Sequence, residues 1–175
     1  MDAPLALAEP RVSRRLELIV VAGLVVADQI TKALVRSSIE LHESVPVIPE
    51  ILSLTRVHNT GAAFGMLNSM DFPGKTLALT IVAMLALAGV TWYALSVPLT
   101  DRVARLGIAC ILGGAIGNLI DRATVGYVLD YVDFSWQGWH FWAFNVADAA
   151  ISVGVVLMIL DLFMGSTMRR ERAVP

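Results

Sequence analysis

The sequence predicts a mainly α-helical membrane protein, a four-transmembrane-helix bundle with a small extracytoplasmic β-sheet platform. Three observations predict it. The 175-residue chain is 57% apolar and only 16% charged, where a soluble domain carries about 25% charged residues. Four apolar runs approach the roughly 20 residues that cross a bilayer core. The lysines and arginines fall in segments that a four-span topology places on one side of the membrane. No length is left for a second domain, so residues 1–175 read as one integral membrane unit.

The first apolar run, LIVVAGLVVA, continues through DQITK into ALV, which predicts a span over about 17–36. Arg11, Arg14 and Arg15 before it resemble the basic region of a signal peptide. Asp28 and Lys32 follow the apolar core directly, however, and no small-x-small cleavage site follows, so the run reads as an uncleaved anchor. TLALTIVAMLALAGVTWYALSV predicts the second span at 76–97, LGIACILGGAIGNLI the third at 104–122, and FWAFNVADAAISVGVVLMILDLFM the fourth at 141–164. Arg102 and Arg105 then lie between the second and third apolar runs, and Arg169, Arg170 and Arg172 follow span four. The bias of these charges puts both termini in the cytoplasm, with 1–10 and 166–175 as cytoplasmic tails.

The two outward connections carry β-like patterns. Short runs broken by Pro46 and Pro49 lead into ILSLTRV, and GYVLDYVDFSW is rich in Val and Tyr. Trp136, Trp139, Phe141 and Trp142 fit an interfacial aromatic belt. The single cysteine, Cys110, allows no internal disulfide and reads as a small packed hydrophobe. A net charge of −2 does not suggest nucleic acid.

The intramembrane polar residues share one depth. Asp28 and Lys32 lie four apart near the outer end of span one and can pair, which reads first as an ion pair fixing helix packing. Gly114, Asn118, Asp121 and Arg122 lie on or near one face at the outer end of span three, and Gly113 and Gly117 form a GxxxG. Asn145, Asp148 and Ser152 share a face at the outer start of span four. A carboxylate at the centre of a membrane helix costs about 2.5–3.5 kcal/mol. Amides commonly hydrogen-bond between helices, but packing alone does not favour one leaflet.

His42, His58 and His140 all fall in outer loops, with no GxSxG serine and no HExxH or Cys/His cluster. Paired carboxylates remain. Asp130 and Asp148 are 18 residues apart, and a fold-back between them joins two carboxyls that share one proton. One activates water and the other protonates the leaving amine, chemistry that needs no cofactor. Asp121 and Asp133 stay open as alternatives at this level. A proton-coupled carrier is the main rival, but a carrier places polar groups through the whole depth.

The blocks DQITK (28–32), NTGAAFG (59–65), GGAIGNLIDR (113–122), GYVLDY (126–131) and FNVADAAI (144–151), in this order and spacing, resemble lipoprotein signal peptidase, also called signal peptidase II, an aspartic membrane peptidase family. The resemblance implies four spans with cytoplasmic termini and a bacterial inner-membrane endopeptidase. It implies prolipoprotein substrates already carrying diacylglycerol, cut just before the lipidated cysteine. It implies Asp130 and Asp148 as the catalytic pair, no metal or other cofactor, and Asn59, Gly61, Asn118, Arg122, Asn145, Asp28 and Lys32 as substrate-binding or site-shaping positions. Membrane lipid and substrate are the expected partners, and a monomer is the expected state. Tyr131 departs from the phenylalanine usual in the family, a change expected to alter the packing or hydrogen bonding of that wall.

Overall fold

The computed structural model describes residues 13–61, 67, 70, 72–137 and 139–171, with only the backbone at 140 and 164–171. The expected tail at 1–10 and residues 62–65 of NTGAAFG lie outside the described residues. In order, the elements are α1 (Arg14–Ser38), β1 (Ser44–Ile48), β2 (Leu52–Asn59), α2 (Lys75–Ser96), α3 (Arg102–Thr124), β3 (Val128–Trp136), β4 (Trp139–His140) and α4 (Val146–Glu171). All four helices are long and apolar enough to span a membrane. Their outward surfaces carry Leu18, Leu85, Trp92, Leu95 and Leu162, each more than 60% exposed, as hydrocarbon-facing side chains are.

The centre of the bundle is α3, which packs against the other three helices. Small residues let it do so, because helices in lipid associate through close backbone approach rather than through water exclusion. Gly113 and Gly117 of the GxxxG turn toward α1: a Cβ on Gly113 would sit 3.0 Å from Leu24, and one on Gly117 2.6 Å from the Asp28 carboxylate. A second small-residue seam faces α4. Gly107 and Gly154 meet reciprocally, each Cβ position within 2.8 Å of the other's carbonyl oxygen, and a Cβ on Gly114 would strike the Ala147 carbonyl. The GxxxG therefore serves α1, and Gly107 and Gly114, seven residues apart, serve α4.

The sheet lies at one end, in the order β1-β2-β3-β4, with β1, β2 and β3 antiparallel and the two-residue β4 closing onto the end of β3. Pro46 does not break β1 but pairs opposite Ser53. It is tolerated because an edge strand has N–H groups to spare. A core of Val35, Ile39, Leu129 and Tyr131, with Leu54 and Val132 against it, seats the sheet on the end of α1. Trp136, Trp139 and Trp142 are exposed along its rim, where an aromatic belt would meet the interface.

Three boundaries depart from the expected ones. The fourth helix starts at Val146 rather than 141, because Phe144 bridges to Val132 and Asn145 caps the helix. It runs to Glu171 rather than ending at 164, taking in most of the expected tail. The third helix starts at Arg102 rather than 104, so Arg105, which precedes the third apolar run, sits in its first turn. This arginine is nearly buried, donates from Nε to Glu17 of α1 at 2.6 Å, and donates to the Ala94 and Val97 carbonyls at the end of α2. These bonds gather three helices at the end opposite the sheet. Gly114→Ala is expected to lower stability by about 1–3 kcal/mol, as overpacking of a close seam does, measured as a lower unfolding midpoint in detergent. Gly23→Ala, where a Cβ meets nothing within 4 Å, is the matched control and should leave the midpoint unchanged.

Candidate active site

Lys32 is fully buried between α1, α3 and the sheet. An ammonium has three donors, and all three are used: Asp28 Oδ2 at 2.8 Å, Asn118 Oδ1 at 3.0 Å and Asp121 Oδ2 at 3.0 Å. Asp121, also fully buried, accepts from Arg36 Nη2 at 2.8 Å and from the Leu129 amide at 3.1 Å, which ties α3 to α1 and to the start of β3. Asp28 accepts from the Ala147 amide at 3.1 Å and from Gln29 Nε2 at 3.1 Å. Two carboxylates and two cations thus form a neutral, hydrogen-bonded set, the condition under which buried charge is tolerated. The pair expected at 28 and 32 is the core of a larger cluster that includes Asp121 and Arg36, neither of which sequence reasoning placed there.

This cluster orients amides. Because Lys32 can only donate, the Asn118 atom facing it is the carbonyl oxygen, and Nδ2 is turned to Asp148 Oδ1 at 2.8 Å. Asn145 and Asp148 form a reciprocal cap on α4. The Asp148 amide donates to Asn145 Oδ1 at 2.9 Å, and the Asn145 amide donates to Asp148 Oδ2 at 3.2 Å. This is the capping-box arrangement with Asn and Asp in the two roles. The cap points Asn145 Nδ2 at Asp130 Oδ1, 2.8 Å away, with Asn118 Oδ1 and the Leu129 carbonyl each at 3.2 Å. One asparagine therefore contacts both Asp130 and Asp148. The N-x-x-D spacing was legible in FNVAD and marks the true helix start.

Asp130 is carried by β3 opposite Val57 of β2. Period-two alternation puts Asn59 on the same face, diagonal to it, and Asn59 Nδ2 donates to Asp130 Oδ2 at 2.9 Å. Asn59 Oδ1 accepts from the Gly61 amide at 2.9 Å, and the Gly61 carbonyl accepts from Arg122 at 3.1 Å. Burial, then the charge of Asp148, pushes the Asp130 carboxyl up to about 7, against the opposing hydrogen bonds of Asn59 and Asn145 and the charge of Lys32. Asp133, three residues along the strand, faces the other side by the same alternation.

Asn59, Asn118, Arg122, Asp130 and Asp148 line one cavity of about 730 Å³. Its apolar walls come from Ala83 and Ala86 of α2, Ala115 of α3, and Ala149 and Ile151 of α4, with Phe141 and Trp142 at the sheet end. Asp28, Lys32 and Asn145 lie behind that wall, and the described part of NTGAAFG contributes Asn59 and Gly61. Tyr131, expected in the wall of the site, is not among the residues lining the cavity and packs in the core against Val35 and Ile39 of α1: its hydroxyl donates to Thr31 Oγ1 at 2.8 Å, and burial raises the phenol above its usual range. Among the described residues no group of three His, Cys, Asp or Glu side chains could hold a metal. Lys32→Ala is expected to destabilise the protein by about 3–5 kcal/mol, as removal of one partner from buried ions does, read as a large fall in unfolding midpoint. An unchanged midpoint would contradict the structural role of the cluster.

The family model for signal peptidase (SPase) II matches residues 20–164. The chain is 44% identical over 149 residues to the lipoprotein signal peptidase of Geobacter metallireducens, covering 85% of this chain and 90% of that one. It is 41% identical over 158 residues to that of Mesorhizobium japonicum, covering 90% of each. A bacterial membrane enzyme solved by the in meso method superposes with a TM-score of 0.84 at 27% identity, over 97% of this chain and 100% of that one. With the family model matched from the first helix to the fourth and relatives above 40% identity over most of both chains, this chain belongs to the signal peptidase II family, a membrane aspartic peptidase.

Proposed function

We propose that the protein removes the signal peptide from diacylglyceryl-modified prolipoproteins, cutting just before the lipidated cysteine, with Asp130 and Asp148 as the catalytic pair. The observation that carries this reading is the double contact of Asn145, whose backbone N–H donates to Asp148 and whose side-chain amide donates to Asp130, two carboxyls that line one cavity large enough for a peptide. The elevated titration of Asp130 supports it as the holder of the shared proton. Asp148 then acts as the base. It takes a proton from water as the water oxygen attacks the scissile carbonyl carbon, while the Asp130 proton is donated to the carbonyl oxygen. The tetrahedral intermediate collapses as the C–N bond breaks: Asp148 passes its newly gained proton to the leaving amine, and Asp130 takes back the proton of the hydroxyl that becomes the carbonyl, which restores the pair.

The signal helix lies in the apolar groove between α2 and α4, where alanines and serine leave room for it. Asn59, Gly61 and Arg122 shape the sheet end of the groove, and Asn118 and Asn145 orient the aspartates. The active site faces the outer side of a bacterial inner membrane, with both termini in the cytoplasm, in keeping with the arginine bias.

Asp130→Asn and Asp148→Asn are each expected to lower cleavage of purified lipidated prolipoprotein by about 10²–10⁴-fold or more with little change in unfolding midpoint. Near-normal cleavage by either variant would remove the pair from the mechanism. Unlipidated prolipoprotein should not be cut.

The pH profile of kcat/KM should be bell-shaped. One proton must stay on the pair, so the rate falls as pH rises through about 7 and Asp130 ionises, and falls again in acid as both carboxyls protonate. Asn59→Ala deletes a hydrogen bond that favours ionised Asp130. It should move the alkaline limb upward, and a downward shift would contradict the assignment.

A further inference from the structure

The geometry points to Lys75 as a further positioning residue of the catalytic site, one that holds the turn at Asn59, Thr60 and Gly61 against Asp130. The inference rests on the proposed role of Asp130 in cleavage. Lys75 is the first residue of α2, and among the described residues of that helix it alone is buried. A lysine at the end of a membrane helix ordinarily extends its ammonium to water. The macrodipole also disfavours a cation at a helix N-terminus. An amine turned inward at this position therefore needs acceptors that offset both costs.

Those acceptors lie on the connection from β2 to α2. Lys75 Nζ donates to Thr60 Oγ1 at 3.2 Å and to the Met70 carbonyl at 2.8 Å. Gly74, in the left-handed region at φ 83°, turns the chain directly before it, and the Lys75 amide donates to the Phe72 carbonyl at 3.2 Å. One side chain thus gathers positions 60 and 70 onto the start of α2.

Thr60 stands between the two residues that meet the site. Asn59 donates from Nδ2 to Asp130 and accepts the Gly61 amide at Oδ1, and Arg122 donates to the Gly61 carbonyl. The two ends of the Asn59 amide serve its own turn and the carboxyl. Its reach to Asp130, 2.9 Å, therefore depends on where that turn is held. Arg122 holds it from α3 and Lys75 from α2. Asp130 also faces the charges of Asp148 on α4, Lys32 on α1 and Arg122 on α3, which set its titration together with Asn59.

The test is steady-state cleavage of lipidated prolipoprotein across pH by the full-length enzyme in detergent. The variants are Thr60→Val, Lys75→Met, and Lys75→Met combined with Asn59→Ala. Thr60→Val removes an acceptor of the ammonium and keeps its charge. It should lower kcat by about 2- to 10-fold with KM nearly unchanged, and move the alkaline limb of kcat/KM upward by about half a unit, as loss of one ordinary hydrogen bond does. Lys75→Met should act in the same direction and lower kcat by roughly 10- to 100-fold. In the Asn59→Ala background it should move the limb no further, because the effect passes through Asn59. An unmoved limb in Thr60→Val would overturn the assignment. So would a full additional shift from Lys75→Met in the Asn59→Ala background, which marks the field of the charge rather than the position of the turn. Thr60→Val, at an exposed position, decides the matter if Lys75→Met does not fold. Asp130→Asn is measured alongside. Normal cleavage by that variant refutes the role of the aspartate, whereas an inactive Asp130→Asn beside an unaffected Thr60→Val refutes the role of Lys75 alone.

Discussion

The three-way contact of Lys32 is the constraint on which the rest of the molecule depends. A buried ammonium must find three acceptors, and those acceptors come from α1 and α3. Each is then fixed for a second partner: Asp28 for the amide of Ala147 in α4, Asp121 for Arg36 and the first residues of β3, Asn118 for Asp148. Four elements are therefore located by one charge. In lipid this is a strong device, since an alternative packing would leave an ion unpaired in hydrocarbon. Gly117 belongs to the same device, because a side chain there would occupy the space of the Asp28 carboxylate.

From that fixed set, hydrogen-bond direction propagates to the reactive groups. A donor-only lysine decides the orientation of Asn118, whose carbonyl then receives Asn145 as well. Asn145 closes the α4 cap and reaches Asp130 across the gap between helix and strand. Mounting Asp148 in the first turn of α4 sets it at the favourable end of the helix dipole. Asp130, on a strand whose register is locked to β2, approaches from the other side. Two carboxyls held by one residue, Asp148 by the Asn145 backbone N–H and Asp130 by its side-chain amide, suit a pair that must keep a proton between them without drifting apart.

The lower bundle is held by different means. Nothing polar is needed in mid-membrane, where glycine seams bring α3 against α1 and α4, and α2 is the least enclosed helix. A clamp at Arg105 gathers α1, α2 and α3 at the far end. This division leaves the space between α2 and α4 open beside the polar cluster, so the same packing that stabilises the helices also opens the cavity.

Much of this was legible in the residues. The four spans follow from run length and hydropathy, the common depth of Asp28, Lys32, Asn118 and Asp148 from their place in those runs, and the strands from the alternation of ILSLTRV and the Val and Tyr content of GYVLDYVDFSW. The start of α4 was missed at 141, although N-x-x-D at Asn145 and Asp148 is a capping signal. Aromatic residues before it read equally well as helix, until pairing of Phe144 with Val132 decides otherwise. Arg105 read as an ordinary boundary charge and Arg36 gave no signal, since nothing local distinguishes an arginine at the surface from one folded onto a buried carboxylate. Sequence by itself determined the span pattern, the sign and depth of the charges, and the motifs. Which aspartate pairs with Lys32 and which lines the cavity was decided by tertiary structure alone. Asp121, Asp130, Asp133 and Asp148 are chemically alike, and they differ only in what helix contact and strand register bring within 3 Å of them.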